Sequence, residues 1–313
     1  MNIQQLEYLV AVDNHRHFGK AAEICGVTQP TLSMMIQKLE EELDVKIFNR
    51  KQPIEPTEIG RQIIDQARVS LKYFRQIKEI VESEQNVAKG SFTLGVIPTV
   101  APYLVPELLR RKNEICSDIE LTLKENTTGN LVAGILNGTI DGGLMAGPLN
   151  NDLLVEYPIY YEKFYAYVSK NDELYSQKEL DLNEIDISRI WLLENVHCLR
   201  GQIEFLCQMK RKSSALKEAI KYEAGNIDTL INIVDYNYGI TVIPEMSAMG
   251  LSEEKQENLR TFKNMTAVRE VSLIVSKEYV RKVMLNKIME IVKESVPKMM
   301  QDTHLKEYVI GVN

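Results

Sequence analysis

Apolar residues in the first sixty positions recur every three or four residues. Ile3, Leu6, Leu9 and Val10 form the face of a first helix. Phe18–Cys25 predicts a second, closed by Gly26, a residue suited to a turn of positive φ. Thr28 is a good N-cap for a third helix, and Pro30 fits its first turn, where a missing N–H costs nothing. That helix runs to about Leu43 and gathers Leu32, Met35, Ile36 and Leu39 on one side, with Gln29, Thr31, Ser33 and Gln37 elsewhere. Residues 44–57, with Ile47-Phe48, Pro53 and Pro56, predict a short hairpin or wing. From Glu58 to about Ala88 no proline intervenes, and Ile64, Ala67, Leu71, Phe74, Ile77 and Val81 step by three or four. This is a long helix with one apolar seam, broken at Lys89-Gly90-Ser91. Packing on its own chain and self-association both account for a seam; on a polar helix between two domains, self-association is the preferred reading.

Beyond Gly90 the period changes. Phe92, Leu94 and Val96 alternate as a strand, followed by a helix near Val100–Arg111, a strand at Ile119–Leu123 and a helix around Asn130–Asn137. Further strand-like runs are Phe164–Val168, Ile190–Leu193, Ile240–Ile243 and Val271–Val275. Strands alternating with helices predict an α/β region with largely parallel sheets. The whole reads as an α+β multidomain chain, in keeping with its 313 residues.

Composition narrows the class. With 26% charged and 44% hydrophobic residues, collagen, long disorder and disulfide scaffolds are excluded. No apolar run reaches about 18 residues, so no membrane span is expected. The N-terminus lacks the basic cap and apolar stretch of a signal peptide, which predicts a cytoplasmic protein. Four cysteines in a reducing compartment are expected to be buried, metal-binding or redox-active, not in structural disulfides. The net charge of −7 speaks against indiscriminate attraction to nucleic acid.

Ala21, Ala22, Cys25, Gly26, Val27, Leu32 and Met35 nevertheless have the spacing of a helix-turn-helix. Two small alanines let helices cross closely, Gly26 makes the turn, and Val27, Leu32 and Met35 close a small core. The stretch RHFGKAAEICGVTQPTLSMMIQKLEEELDVKIFNR resembles the N-terminal domain of LysR-type transcriptional regulators, and the long helix and α/β remainder fit that family too. The resemblance implies a winged helix-turn-helix over 1–58, a linker or dimerisation helix over 59–89, and a periplasmic-binding-protein-like regulatory domain over 90–313. The latter divides into subdomain I, about 90–162 with 270–313, and subdomain II, about 163–269. It also implies a third helix in the major groove of a double-stranded DNA operator, with Gln29, Thr31 and Ser33 facing bases, Pro30 shaping the helix start, and Lys38 and Arg50 on phosphates. Residues 1–60 hold six basic against nine acidic side chains. Binding then depends on the helix N-terminus, on local placement of cations and on paired subunits.

Cys25 sits at a core position of the helix-turn-helix, and Cys116, between a helix and a strand, reads as buried or inert. Cys198 and Cys207 differ: nine positions apart in LLENVHCLRGQIEFLC, they match neither a CxxC motif nor zinc spacing. Within one regular helix nine residues span about 13 Å, too far for a direct disulfide, so bridging requires refolding. His197 and Arg200 flank Cys198 near a helix start, where donors and positive charge favour a thiolate. Spacing alone leaves open two unrelated cysteines near one surface.

HCLRGQ followed by Cys207 resembles the sensor loop of the peroxide-sensing branch of the LysR family. The likeness extends to IPTVAPYLVP at 97–106, Thr128 in ENTTGNL, NIDTLINIVDYNYGITVIP at 226–244 and Arg269 in VREVSLIV. Val196 replaces a common glycine and Gly201 a common acidic residue. The resemblance implies Cys198 as the peroxidatic and Cys207 as the resolving cysteine, with Thr99, Thr128 and His197 hydrogen-bonding peroxide and Arg269 stabilising negative charge. It further implies a homodimer or homotetramer, RNA polymerase as a partner, and reset by a glutaredoxin- or thioredoxin-type reductant. No metal or cofactor is expected, and the chain reads as a sensor, not an enzyme. The rival readings are a LysR-type regulator that answers a small metabolite, and a thiol peroxidase, which leaves the first 88 residues unexplained.

Overall fold

The structure, a computed structural model, describes residues 1–49, 51, 53–84, 88–116, 118–182, 185–186, 189–206, 224–263 and 267–310. The chain falls into two compact units, Met1–Val87 with Gly134–Thr139, and Ala88–Ala133 with Ile140–Asn313.

In the first unit, Asn2 and Gln5 form a reciprocal cap on α1 (Ile3–His15). His17 caps α2 (Phe18–Ile24), and Gly26 takes φ 66° to turn the chain into α3 (Gln29–Leu43). Thr28 caps α3 by accepting from the Thr31 N–H, as its sequence predicts. β1 (Phe48–Asn49) and β2 (Glu55–Pro56) pair antiparallel as the wing, and α4 spans Glu58–Glu84. Leu9, Val12, Ala21, Leu32, Ile36 and Leu39 form the core, joined by Ile64 and Ala67 from α4. The predicted face of α1 is rotated: Tyr8 and Val12 are buried, while Ile3 is exposed. Glu40 is buried on α3, where Oε1 accepts the N–H groups of Ile47 at 2.8 Å and Phe48 at 3.3 Å. A carboxylate thus pins the start of the wing.

The second unit is built on one eight-stranded sheet. Its first lobe contains β3 (Gly90–Val96), α5 (Ala101–Ile115), β4 (Ile119–Glu125), α6 (Thr128–Asn137) and β5 (Gly142–Gly147). The chain crosses on β6 (Leu154–Val168) into a second lobe of β7 (Glu179–Leu180), α7 (Cys198–Leu206), α8 (Ile227–Tyr236), β8 (Ile240–Pro244), α9 (Glu245–Met249), α10 (Glu253–Gln256) and β9 (Leu259–Phe262). It returns on β10 (Val268–Ser276) to α11 (Lys282–Glu294). β3 runs parallel to β4 and β5, and β7 to β9. The four other pairings, β10 with β5 and β6, and β6 with β8 and β9, are antiparallel. The sheet is therefore mixed and not largely parallel. A chain that leaves one lobe and comes back must lay its two crossing strands in opposite directions.

Ile190–Leu193 is not a strand. Ile190 and Leu193 make only single bridges, to Ile240 and Ala224, and the segment then turns toward α7. β5 escaped the sequence reading because all six of its residues are buried, so no alternation marks it. Among the described residues no helix is long and apolar enough to cross a membrane, and no three His, Cys, Asp or Glu gather to hold a metal.

Candidate functional site

The register of β6 and β10 sets Arg269 directly opposite Glu162. Both side chains are completely buried. Arg269 Nε donates to Glu162 Oε1 at 2.7 Å, Nη1 to the Thr99 hydroxyl at 3.1 Å, and Nη2 to the Thr99 carbonyl at 3.2 Å. Glu162 Oε2 accepts the Met246 N–H at 2.9 Å, at the start of α9. The buried charge is therefore paired and multiply hydrogen-bonded, the condition under which burial is tolerated. Burial alone would lower the pKa of Arg269. Glu162, Tyr160 and Cys198 together outweigh it, and the pKa is raised above its ordinary value. Cys198 thus lies within the electrostatic reach of Arg269.

Thr99 belongs to the turn that follows β3, and Thr128 opens α6 just beyond β4. β3 and β4 are parallel, so both threonines stand at the C-terminal ends of adjacent strands, where α/β sheets commonly bind ligands. Gly95 leaves room for α6 beside β3: a Cβ there would sit 2.4 Å from Leu131 Cδ2 and force that side chain to turn. Thr99 is buried and Thr128 half-buried.

Cys198 is the first residue of α7 and is half-buried, while His197 before it is buried. The helix starts from a turn in which the His197 N–H donates to the Glu194 carbonyl and the Arg200 N–H to that of His197. Arg200, expected to enrich the thiol's surroundings, is ion-paired with Glu204 at 2.9 Å and also bonds the Leu193 carbonyl. Arg269 is the cation whose coupling to Cys198 is explicit. Cys207 lies outside the described residues.

Two site residues escaped the sequence reading. Gln202 stands one turn after Cys198 on the same side of α7, completely buried, and neither of its amide atoms has a partner among the described residues. Glu162 lies inside a tyrosine-rich strand. The one available signal for each was a polar residue set among apolar neighbours.

At the other end of the chain, Gln29, Pro30, Thr31 and Lys38 are exposed on α3, and Ser33 is half-buried. The Thr31 hydroxyl lies 2.8 Å from that of Thr28, so it also braces the cap. Half-exposed Met34 adds an apolar side chain to the helix surface. Arg50 lies outside the described residues. Cys25 packs half-buried against the core, its thiol pushed up by burial and by Glu7. Cys116 is the C-cap of α5 and is half-buried.

A winged helix-turn-helix, a long helix and a two-lobed α/β unit that holds a buried ionic network beside a cysteine define a DNA-binding regulator with a responsive domain. Residues 3–61 match the bacterial regulatory helix-turn-helix protein family, lysR type, and residues 85–297 match the LysR substrate binding domain. The chain belongs to the LysR family of transcriptional regulators; it is a regulator and not an enzyme. Within that family it is similar to the hydrogen peroxide-inducible genes activator of Haemophilus influenzae, 33% identical over 82% of this chain and 84% of the relative. It is 32% identical to OxyR of Escherichia coli K12 over 79% of this chain and 80% of that protein. Full-length OxyR of Pseudomonas aeruginosa superposes with TM-score 0.77 at 25% identity, covering 94% of this chain and 98% of that one. A hydrogen-peroxide-bound cysteine mutant of Corynebacterium glutamicum OxyR gives TM-score 0.62 at 26% identity, covering 94% and 92%.

Proposed function

We propose that this chain is a cytoplasmic, DNA-binding regulator that senses hydrogen peroxide through reversible disulfide formation between Cys198 and Cys207. The supporting observation is the buried network of Arg269, Glu162 and Thr99 coupled to the thiol at the head of α7. The Cys198 thiolate attacks one peroxide oxygen as the O–O bond breaks. The sulfur becomes a sulfenic acid, and the departing hydroxide takes a proton to leave as water. The Cys207 thiol then attacks the sulfenic sulfur, releasing a second water and closing the disulfide. A dithiol reductant of the glutaredoxin or thioredoxin type restores both thiols.

The Thr99 hydroxyl accepts from Arg269, so its own proton is free to donate to a peroxide oxygen. Thr128, His197 and the amide of Gln202, without a partner among the described residues, supply further donors around the same thiol. Arg269 stabilises the thiolate and the hydroxide that departs. The α4 seam joins two copies, which pair again into a tetramer on a double-stranded operator. Gln29, Thr31 and Ser33 meet base edges, Pro30 sets the helix start, and Lys38 and Arg50 grip phosphates. The regulator then acts on RNA polymerase.

Replacing Cys198→Ser tests this reading. Peroxide is expected to leave the operator footprint and transcription of the variant unchanged while the native chain responds. A native-like peroxide response in the variant would sink the mechanism and turn attention to a metabolite ligand.

A further inference from the structure

The Glu162 carboxylate has no part in the chemistry above, yet it lies at the centre of its geometry. Oε1 takes the Arg269 Nε and Oε2 takes the Met246 N–H, so the group is held between β10 and the start of α9. Opposed across the strands and bonded on both oxygens, it cannot follow the guanidinium if that group turns. The guanidinium is anchored on Glu162 Oε1 by Nε and by Nη2, the latter also at 2.7 Å, while Nη1 reaches the Thr99 hydroxyl and Nη2 the Thr99 carbonyl. We propose that Glu162 is a positioning residue for the Cys198 thiol: it clamps Arg269 and cancels most of its charge, and so sets the pH at which Cys198 ionises. The proposal rests on the assignment of Cys198 as the reacting thiol.

A free guanidinium near a thiol favours the thiolate strongly. The same guanidinium salt-bridged to a carboxylate presents little more than a dipole. The network therefore trades thiol acidity for a fixed donor geometry at Thr99. Other charges face the pair from each neighbouring element. Tyr160 comes from β6 and Tyr103 from α5; both have raised pKa values, chiefly through burial, and stay neutral near pH 7. Asp228 on α8 lies 3.5 Å from the Tyr103 hydroxyl, and Glu245 on α9 is occupied by the Lys163 N–H. His197 is the titratable neighbour next to the thiol in sequence.

The test is the pH dependence of Cys198 alkylation by iodoacetamide in the full-length reduced chain, followed by peptide mass spectrometry from about pH 5 to 9. Glu162→Gln is expected to lower the midpoint by about one pH unit. At one unit below the native midpoint that is roughly a fivefold gain in rate. The paired variant Glu162→Gln with Arg269→Gln carries neither charge and is expected to return to within about 0.3 unit of native. Glu162→Asp, which draws the carboxylate back by one methylene, is expected to shift in the same direction by less, and it carries the test if the Gln variant loses its fold. A native midpoint in the folded single variant overturns the proposal, as does a downward shift that persists without Arg269. Alkylation needs no peroxide. A chain that shows these shifts but never reacts with peroxide would retain the clamp and lose the sensing reading.

Discussion

Gln202 is buried with both amide atoms unpartnered among the described residues, and a buried amide without hydrogen bonds costs on the order of 1–3 kcal/mol. Such a cost persists where the group serves the site. Gln202→Leu, similar in size and without polar atoms, is expected to raise the stability of the reduced chain by about 1 kcal/mol in urea unfolding. The same variant is expected to react with peroxide at least about tenfold more slowly, since a lost hydrogen bond of about 1.4 kcal/mol is a factor of ten. Equal or lower stability with an unchanged rate would remove Gln202 from the site. This residue also marks what the sequence concealed. Cys198, Thr99 and Arg269 were legible because the motifs around them carry a resemblance. A glutamine on a helix ordinarily reads as solvent-facing, and an acid inside a strand as its outer face. That Gln202 and Glu162 point inward is decided by the packing of α7 and by the register of β6 against β10.

At the scale of elements, the helix-turn-helix was legible almost residue for residue, because its caps, turn glycine and apolar spacing are all local. The α4 seam was read as one stripe, but the structure divides it. Ile64 and Ala67 are buried under the helix-turn-helix, whereas Phe74, Ile77 and Val81 remain exposed, Ile77 by 62%. Periodicity cannot tell which stretch of a stripe a neighbouring core consumes. The exposed stretch is the one free to meet a second copy. Ile77→Asp combined with Val81→Asp is expected to leave the thermal unfolding of the monomer unchanged. Each apolar burial forgone is worth roughly 1.5–3 kcal/mol, so self-association should weaken at least about a hundredfold. Sedimentation velocity across a dilution series reads both species; a dimer of native affinity would place the contact elsewhere. β5 and the antiparallel crossing strands lay beyond sequence reasoning for a different reason. They are fixed by which lobe the chain returns to.

For the whole molecule, the governing quantity is the cost of moving α7. The helix spans Cys198 to Leu206, about 12 Å at 1.5 Å per residue. One further residue reaches back by at most about 3.8 Å, and a disulfide tolerates roughly 7 Å between Cα atoms, so an intact α7 is too long for the proposed link. The proposed disulfide therefore requires α7 to unwind, and Leu199, Ile203 and Leu206 would leave the core of the second lobe as it does so. Gly201 lies in the middle of that helix, half-buried, where an alanine would favour the helix by about 1 kcal/mol. Gly201→Ala then stabilises the reduced form alone. For a two-electron couple about 1 kcal/mol is roughly 20 mV, so the variant's disulfide should be reduced at a potential about 20 mV more positive. Slower closure should also leave Cys198 longer as sulfenic acid, and excess peroxide should carry more of it to sulfinic acid. Equilibration in glutathione buffers, with peptide mapping of the Cys198–Cys207 link, measures the potential, and mass spectrometry of the same samples measures the over-oxidised fraction. A potential unmoved or shifted to more negative values would mean that α7 stays helical when the disulfide closes.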